Sequence, residues 1–393
     1  MIYVHVPFCR SFCTYCGFYS EVASKCRGNE DALKQKTLFE GYVQALETEI
    51  RTRHEDISRV FASGDVNTLY IGGGTPSVLP LSSLERLTAA LRSAGHSGSF
   101  DEFTVEVNPE DIVEKGPDYV EGLLSMGVNR ISMGVQSFDD GILKWMNRRH
   151  SASQAVKAYD ILEDAGVENI SIDLIFGLSQ MADGLWKDSV RRALDISSSG
   201  SLPKHISAYQ LSVEEGSMLE KLIAKGRWRE ASDEECSRQY DILCETLAEA
   251  GYHHYEISNF ALPGYEAVHN SAYWRHVPYV GLGPGAHSFM DYLSMRRWNA
   301  PDLKAYVEAG RSGDFSTVQG GEHLCQDQLM MEKIMLGLRT SAGIPEQYVR
   351  RCCDGPSVEE ALSRADLVLL PDGNVRIPEN RFFVSDNIIS SII

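Results

Sequence analysis

Short runs rich in β-branched and aromatic residues punctuate the first half of the chain, and stretches with apolar residues at helical spacing lie between them. The β-like runs are Ile2–Val6, Asn67–Ile71, Phe103–Val107, Arg130–Val135, Asn169–Phe176 and Lys204–Leu211. Leu81–Ala94, Asp118–Met126, Ala152–Ala165 and Leu185–Ile196 carry the helical pattern. Strands alternating with helices predict βαβ units, a parallel sheet and an α/β fold. Six units are too few for a closed eight-stranded barrel and fit an open, partial (β/α)6 barrel of TIM type. A doubly wound sheet, or a full barrel with two strands unread, are the other arrangements the pattern allows. In a barrel, chemistry gathers on the loops after the C-terminal strand ends.

The rhythm fades after about residue 215, so residues 1–215 are expected to form the barrel and 216–319 an extension of it. Asp233–Ala250 predicts one long helix and Tyr252–Phe260 a further strand, followed by a Gly/Pro-rich loop at Tyr279–Ser288. From residue 320 to 393 the pattern changes again. Helices are expected over Gln326–Leu338 and Ser357–Ala365, then a hairpin around Pro371-Asp-Gly-Asn and a last helix near Ser385–Ile392. Helices followed by a hairpin resemble a small, mainly helical, winged-helix-like module.

Composition narrows the function classes. The chain has 393 residues, 43% hydrophobic and 23% charged, ordinary values for a globular protein. It has no apolar run of the length a membrane span needs, and its start lacks the basic and apolar regions of a secretory signal. Nine cysteines do not suggest a disulfide framework, so a reducing, cytoplasmic setting is expected. A net charge of −18 argues against a general nucleic-acid binder. It also means that an anionic ligand needs local cations, for which Arg130, Arg148, Arg149, Arg275, Arg296 and Arg297 are candidates.

Cys9, Cys13 and Cys16 are spaced C-x3-C-x2-C directly after the first strand. Three thiolates suit a [4Fe–4S] cubane whose fourth iron is left for another ligand. A zinc knuckle completed by His5 or Cys26 is the rival reading, because structural zinc takes four protein ligands. Gly72-Gly-Gly-Thr-Pro-Ser77 follows the second strand, and consecutive glycines let a ligand approach bare backbone. It is neither a Walker loop nor a dinucleotide fingerprint. Glu106, Gln136 and Asp173 occupy or follow otherwise apolar strands, where an unpartnered charge is costly. Three polar residues at equivalent strand ends point to one shared polar ligand.

Taken together, Tyr3-Val-His-Val-Pro-Phe-Cys-x3-Cys-x2-Cys, Gly-Gly-Gly-Thr-Pro-Ser, Glu-Val-Asn-Pro, Gly-Val-Gln-Ser-Phe, Asn147-Arg-Arg-His, Asp-Leu-Ile-Phe-Gly and His269-Asn-x2-Tyr-Trp resemble one family. It is the radical S-adenosylmethionine (SAM) family of oxygen-independent coproporphyrinogen III dehydrogenases and the related HemW haem chaperones, and the resemblance runs along the whole chain. It implies a [4Fe–4S] cluster on Cys9, Cys13 and Cys16, and SAM bound through its amino and carboxylate groups to the open iron. Tyr3, Gly73, Gly74 and Thr75 match the family's contacts to the methionine end; Glu106, Gln136, Arg148 and Asp173 match its other contacts. Arg148 is chosen over Arg149 on register. The resemblance further implies haem or a porphyrinogen as ligand, a flavodoxin- or ferredoxin-like electron donor, and radical chemistry that belongs to the cofactor.

Two departures separate the branches. The dehydrogenases carry another cysteine two residues after the third cluster ligand, where this chain has Phe18, and they have a long N-terminal extension ahead of the cluster loop. Both features favour the chaperone branch, in which haem is bound and passed to an acceptor protein. So does His269-Asn-Ser-Ala-Tyr-Trp274: His269 is an expected axial ligand to haem iron, with Asn270, Tyr273 and Trp274 around the ring in the 216–319 region. Oxidative decarboxylation of coproporphyrinogen III to protoporphyrinogen IX is the alternative function. Gly17 stands where the chaperones usually have aspartate. The remaining thiols, Cys26, Cys236, Cys244, Cys325, Cys352 and Cys353, are expected to pack or sit free.

Overall fold

The computed structural model describes residues 1–23, 29–62, 66–95 and 98–393. Cys26, the rival zinc ligand, lies outside them. Strands β1 (Ile2–Val6), β2 (Thr68–Gly73), β3 (Glu102–Val107), β4 (Arg130–Gln136), β5 (Ile170–Phe176) and β6 (His205–Gln210) pair in sequence order, all parallel. They are the six strands expected from the sequence. Three more complete the sheet: β7 (His253–Glu256) and β8 (Asn259–Ala261) form an antiparallel hairpin on β6, and β9 (Val280–Leu282) runs parallel to β1. The nine strands run β9-β1-β2-β3-β4-β5-β6-β8-β7, and the outer two do not pair with each other, so the barrel is open.

Side chains alternate along these strands up to the irregular end of β4. One face carries Leu69, Ile71, Phe103, Val105, Ile131, Met133, Ile172 and Ile206, all fully buried. Helices such as Leu81–Ser93, with Leu84, Leu87 and Leu91 inward, cover that face. Each such side chain contributes ~1.5–3 kcal/mol through its removal from water. The opposite face, which turns into the barrel, carries Glu102, Glu106, Arg130, Ser132, Asp173 and Ser207. Close-packed TIM barrels fill this space with branched apolar residues. Here it stays polar and hollow.

Three differences from the sequence expectations bear on how the barrel is closed. The strand expected over Tyr252–Phe260 is the β7–β8 hairpin, turned at Ile257-Ser258, where Tyr240 Oη donates to the Ile257 carbonyl. The Gly-rich loop contains β9, whose glycine is a packing requirement: a Cβ on Gly281 would lie 1.9 Å from the His287 carbonyl oxygen. Helix α1 (Asn29–Thr52) was not expected at all, although Phe39, Tyr42, Val43, Leu46 and Ile50 have helical spacing and are buried. That stripe is interrupted by Glu49, fully buried, which accepts hydrogen bonds from Gly283 N (2.9 Å), Asn299 Nδ2 (2.8 Å) and Tyr306 Oη (2.6 Å). Arg53, one turn on, donates to the Gly281 carbonyl at 2.8 Å. One carboxylate thus ties α1 to β9 and to helix Leu303–Ser312.

Beyond residue 320, helices Gln326–Gly337, Glu346–Cys352, Gly355–Ser363 and Ser385–Ile392 surround a three-stranded antiparallel sheet, mainly helical as expected. The expected hairpin is there, Val368–Leu369 against Asn374–Arg376. Phe382 and Phe383 join this part to the barrel through rings of His254 and Tyr240, with centroids 5.0 and 5.2 Å apart. Among the described residues no helix is long and apolar enough to cross a membrane.

Removing the buried carboxylate leaves three donors without their acceptor and takes from Arg53 one of its two carboxylate partners, Glu49 and Asp56. Glu49→Ala is expected to lower unfolding free energy by roughly 3–5 kcal/mol, measured by urea denaturation; a loss under about 1 kcal/mol would show that the network is incidental.

Candidate functional site: a polar cavity at the barrel mouth

A cavity of about 570 Å³ opens at the C-terminal strand ends and runs down inside the barrel. This is within the usual size of cofactor sites, about 300–1,000 Å³. Cys9, Cys13 and Cys16, all half-buried free thiols, form one wall. Their loop is held by backbone from two directions: Thr14 N donates to the Met146 carbonyl (3.0 Å), and Leu219 N donates to the Thr14 carbonyl (3.0 Å). Asn147 Nδ2 adds a bond to the Phe12 carbonyl at 2.6 Å.

The glycine turn faces these cysteines. Gly74 N donates to the Val6 carbonyl (2.8 Å) and Thr75 N to the Phe8 carbonyl (2.7 Å). A Cβ on Gly74 would sit 2.7 Å from Phe8 O and 2.8 Å from Val6 O, so only glycine allows this approach. Gly73 has φ +107°, in the region that favours glycine. Its N–H donates to Glu106 Oε2 at 3.0 Å, and Tyr70 Oη donates to Glu106 Oε1 at 2.7 Å. Burial pushes the Glu106 carboxyl up to about 7 despite those two donors, with Asp173 raising it further. Asp173, which accepts from Ser132 Oγ at 2.8 Å, is likewise raised by burial. Gln136 has φ +68° at the irregular end of β4, a left-handed conformation costing about 1–3 kcal/mol that aims its side chain into the cavity. Arg148 donates to Asn108 Oδ1 and the Gly134 carbonyl, both at 2.6 Å, and to Cys13 Sγ at 3.6 Å. Arg149 is exposed.

The Radical SAM superfamily model matches residues 3–193. The haem chaperone HemW of Lactococcus lactis is 33% identical over 342 residues, which cover 87% of this chain and 82% of that protein. HemW of Bacillus subtilis is 32% identical over 93% of this chain and 92% of its own length. The chain belongs to the HemW family of radical SAM proteins. Its fold matches that of coproporphyrinogen III oxidase (HemN) from Escherichia coli, with a TM-score of 0.77 at 21% identity over 99% of this chain and 89% of that one.

The family implies a [4Fe–4S] cluster and SAM, and the residues present fit both. Three free thiols from one loop share the cavity with a glycine cradle that a single Cβ would fill. Among the described residues no three His, Cys, Asp or Glu side chains close on one point, as a lone zinc ion requires. Thiolates on separate irons need no such convergence. His5, the candidate zinc ligand, has both ring nitrogens engaged, Nδ1 with Tyr3 Oη (3.0 Å) and Nε2 with the Tyr19 carbonyl (2.9 Å). Burial raises the Cys9 thiol and takes Cys16 up to about 11, so binding the irons has to displace protons.

Gly73, Gly74, Thr75, Glu106, Gln136, Arg148 and Asp173 all line the cavity with the cysteines. Tyr3 is not one of the lining residues; its hydroxyl pairs with His5 Nδ1. The haem residues are split. His269 and its neighbours form helix α2 (Val268–Trp274), which closes the barrel floor opposite the cysteines, and only Asn270 reaches the cavity. The structure does not present His269 as a free iron ligand: it is buried, its Nδ1 pairs with Thr68 Oγ1 (2.7 Å) and its Nε2 with Tyr273 Oη (3.1 Å). Burial holds it neutral, down to about 3. Tyr273 and Trp274 are half-buried and do not line the cavity. Sequence reasoning missed Ser132, Ser207 and Asn108 as lining residues. The polar-apolar alternation of β4 and β6 carries the signal for the first two.

Gly17 also finds an explanation. A Cβ there would lie 2.6 Å from Glu214 Cγ, so the space is taken by a carboxylate side chain from another segment.

A Glu106 raised above its unfolded value binds more protons in the native state, so its share of stability declines as pH rises from about 4.5 to about 7. Glu106→Gln is expected to flatten that decline by up to about 3 kcal/mol, read from urea unfolding of the ligand-free chain at pH 5 and pH 8. Parallel pH profiles for the two proteins would refute the burial argument.

Proposed function

We propose that this chain binds haem and passes it to an acceptor protein, with its cluster and SAM governing the transfer. The observation that carries the reading is similarity over most of their length to proteins named haem chaperones, together with Phe18 at the position of the dehydrogenases' extra cysteine. Phe18 is 72% exposed at the cavity rim, with Phe12 at 55% and Tyr209 at 43%. Exposed aromatic faces around a cavity mouth suit a flat apolar ring.

The chain's own residues have separable tasks. The cysteine loop would hold the cluster, and Gly73, Gly74 and Thr75 would receive the amino-carboxylate end of SAM. Glu106 and Asp173, both raised by burial, would ionise in favour of a cation bound near them, and Gln136 offers a neutral hydrogen-bonding group. Arg148 sets a half-buried positive charge beside Cys13, favouring an anionic cluster. When bound, the cluster and SAM together supply one-electron chemistry, fed by a donor of the flavodoxin or ferredoxin kind. Haem ligation by His269 would require one ring nitrogen to give up its partner, Tyr273 Oη at Nε2 or Thr68 Oγ1 at Nδ1.

The test uses anaerobically reconstituted protein. Mixed with haem it is expected to develop a Soret band, and His269→Ala to alter it if that histidine is recruited. Supplied with coproporphyrinogen III, SAM and a reductant, it is expected to form no protoporphyrinogen; appreciable turnover would replace the chaperone reading with the dehydrogenase one.

A further inference from the structure

Arg130 is one of the arginines singled out in the sequence that the functions above leave unused, and of those it is the buried one that lines the cavity. It opens β4 at the barrel floor, is 3% exposed, and lines the same cavity as the cysteines. Its Nε is buried with no hydrogen-bond partner. The carboxylate it pairs with, Glu102, stands 3.8 Å away. Glu102 is already committed, accepting from Val268 N (2.8 Å) and His269 N (3.0 Å) at the start of α2. The neighbouring histidines do not compete for an anion: His205 pairs with Ser171 Oγ (2.8 Å) and Tyr255 Oη (2.7 Å), and His269 with Thr68 and Tyr273. A buried guanidinium without full hydrogen bonding is expensive, and a planar fork of donors matches a carboxylate. Asn270, on α2 next to His269, lines the same cavity and adds an amide to it.

We propose that Arg130 and Asn270 form a carboxylate subsite on the barrel floor, which takes a propionate of a tetrapyrrole lying below the SAM platform. The inference rests on the reading of this chain as a tetrapyrrole-binding protein. The carboxylate of SAM is the other source of the same chemistry, but the glycine platform that fits it lies at the opposite, cysteine end. Only a second molecule therefore brings an anion to the floor. The chain's net charge of −18 makes a local cation the condition for such a contact.

The experiment compares haem with haem dimethyl ester, by absorbance titration of the reconstituted full chain in the presence of SAM. Wild-type protein is expected to favour the free acid at least about tenfold, the equivalent of one charge-assisted hydrogen bond. Arg130→Gln is expected to remove most of that preference, Arg130→Lys to keep part of it, and Asn270→Ala to weaken it, all with SAM affinity unchanged. A preference undiminished in Arg130→Gln overturns the subsite while leaving the chaperone reading intact. A SAM affinity that falls in Arg130→Gln as far as that for haem overturns it too, by giving Arg130 to the cosubstrate. Should Arg130→Gln fail to fold, an undiminished preference in both Arg130→Lys and Asn270→Ala is equally fatal. Wild-type protein that binds neither tetrapyrrole sinks the subsite and the chaperone reading together.

Discussion

Two backbone hydrogen bonds, Gly74 N to Val6 O and Thr75 N to Phe8 O, hold the cysteine loop against the glycine turn. They join the ends of β1 and β2, adjacent parallel strands whose pairing runs as far as Val6 and Gly73. A side chain on Gly74 would occupy the very place where these carbonyls approach. The distance between the thiols and the bare backbone is therefore set by sheet geometry, which is stiff, and not by loop conformation, which is soft. Every feature of the cavity mouth follows from that. Glu106 can reach Gly73 N only because β3 pairs with β2 in register, and Arg148 can reach Cys13 only because the loop is fixed.

The barrel's polar interior is the complementary feature. Apolar burial on the outer face of the sheet supplies stability, while the inner face is released from packing and given to hydrogen bonding. That arrangement costs stability. Glu106 and Asp173 are driven toward their neutral forms, and Arg130 sits without full pairing. Buried groups of this kind are tolerated where a ligand completes them. Glu49 shows the contrast: equally buried, it is fully satisfied by three donors from the surrounding chain and belongs to the scaffold.

The six parallel strands were legible because β-branched and aromatic clusters mark them, and the cysteines because spacing alone restricts what three thiols can do. Other elements were hidden for physical reasons. β9 is three residues long and contains Gly281, so its composition reads as loop, and only the approach of His287 explains the glycine. α1 has a helical stripe, but Glu49 lies within it and masks its burial. His269 illustrates a different limit. The residue pattern around it identifies the family, yet spacing cannot say whether an imidazole faces a ligand or is absorbed by Thr68 and Tyr273. Nor can sequence show that Glu214 fills the place left by Gly17, since 197 positions separate two side chains that touch only after folding.

Charge along the cavity has an order that none of these residues reveals singly. Arg148 stands at the cysteine end, Glu106 and Asp173 occupy the middle, and Arg130 lies at the floor. Glu110 acts on Arg148 and Glu102 stands 3.8 Å from Arg130, so each arginine shares its end with a carboxylate and still offers the donors an anionic group needs. In the proposed reading a thiolate-ligated cluster would lie at the first arginine, a sulfonium near Glu106 and Asp173, and a carboxylate at the second. Against a net charge of −18, these two arginines favour the places where an anionic group can lodge. Arg130 is buried and Arg148 half-buried, so salt screens their fields less than it screens those of surface charges. Selectivity in this cavity is thus built by the vertical spacing of charges on rigid strands, with the helices contributing little beyond the floor on which Asn270 is mounted.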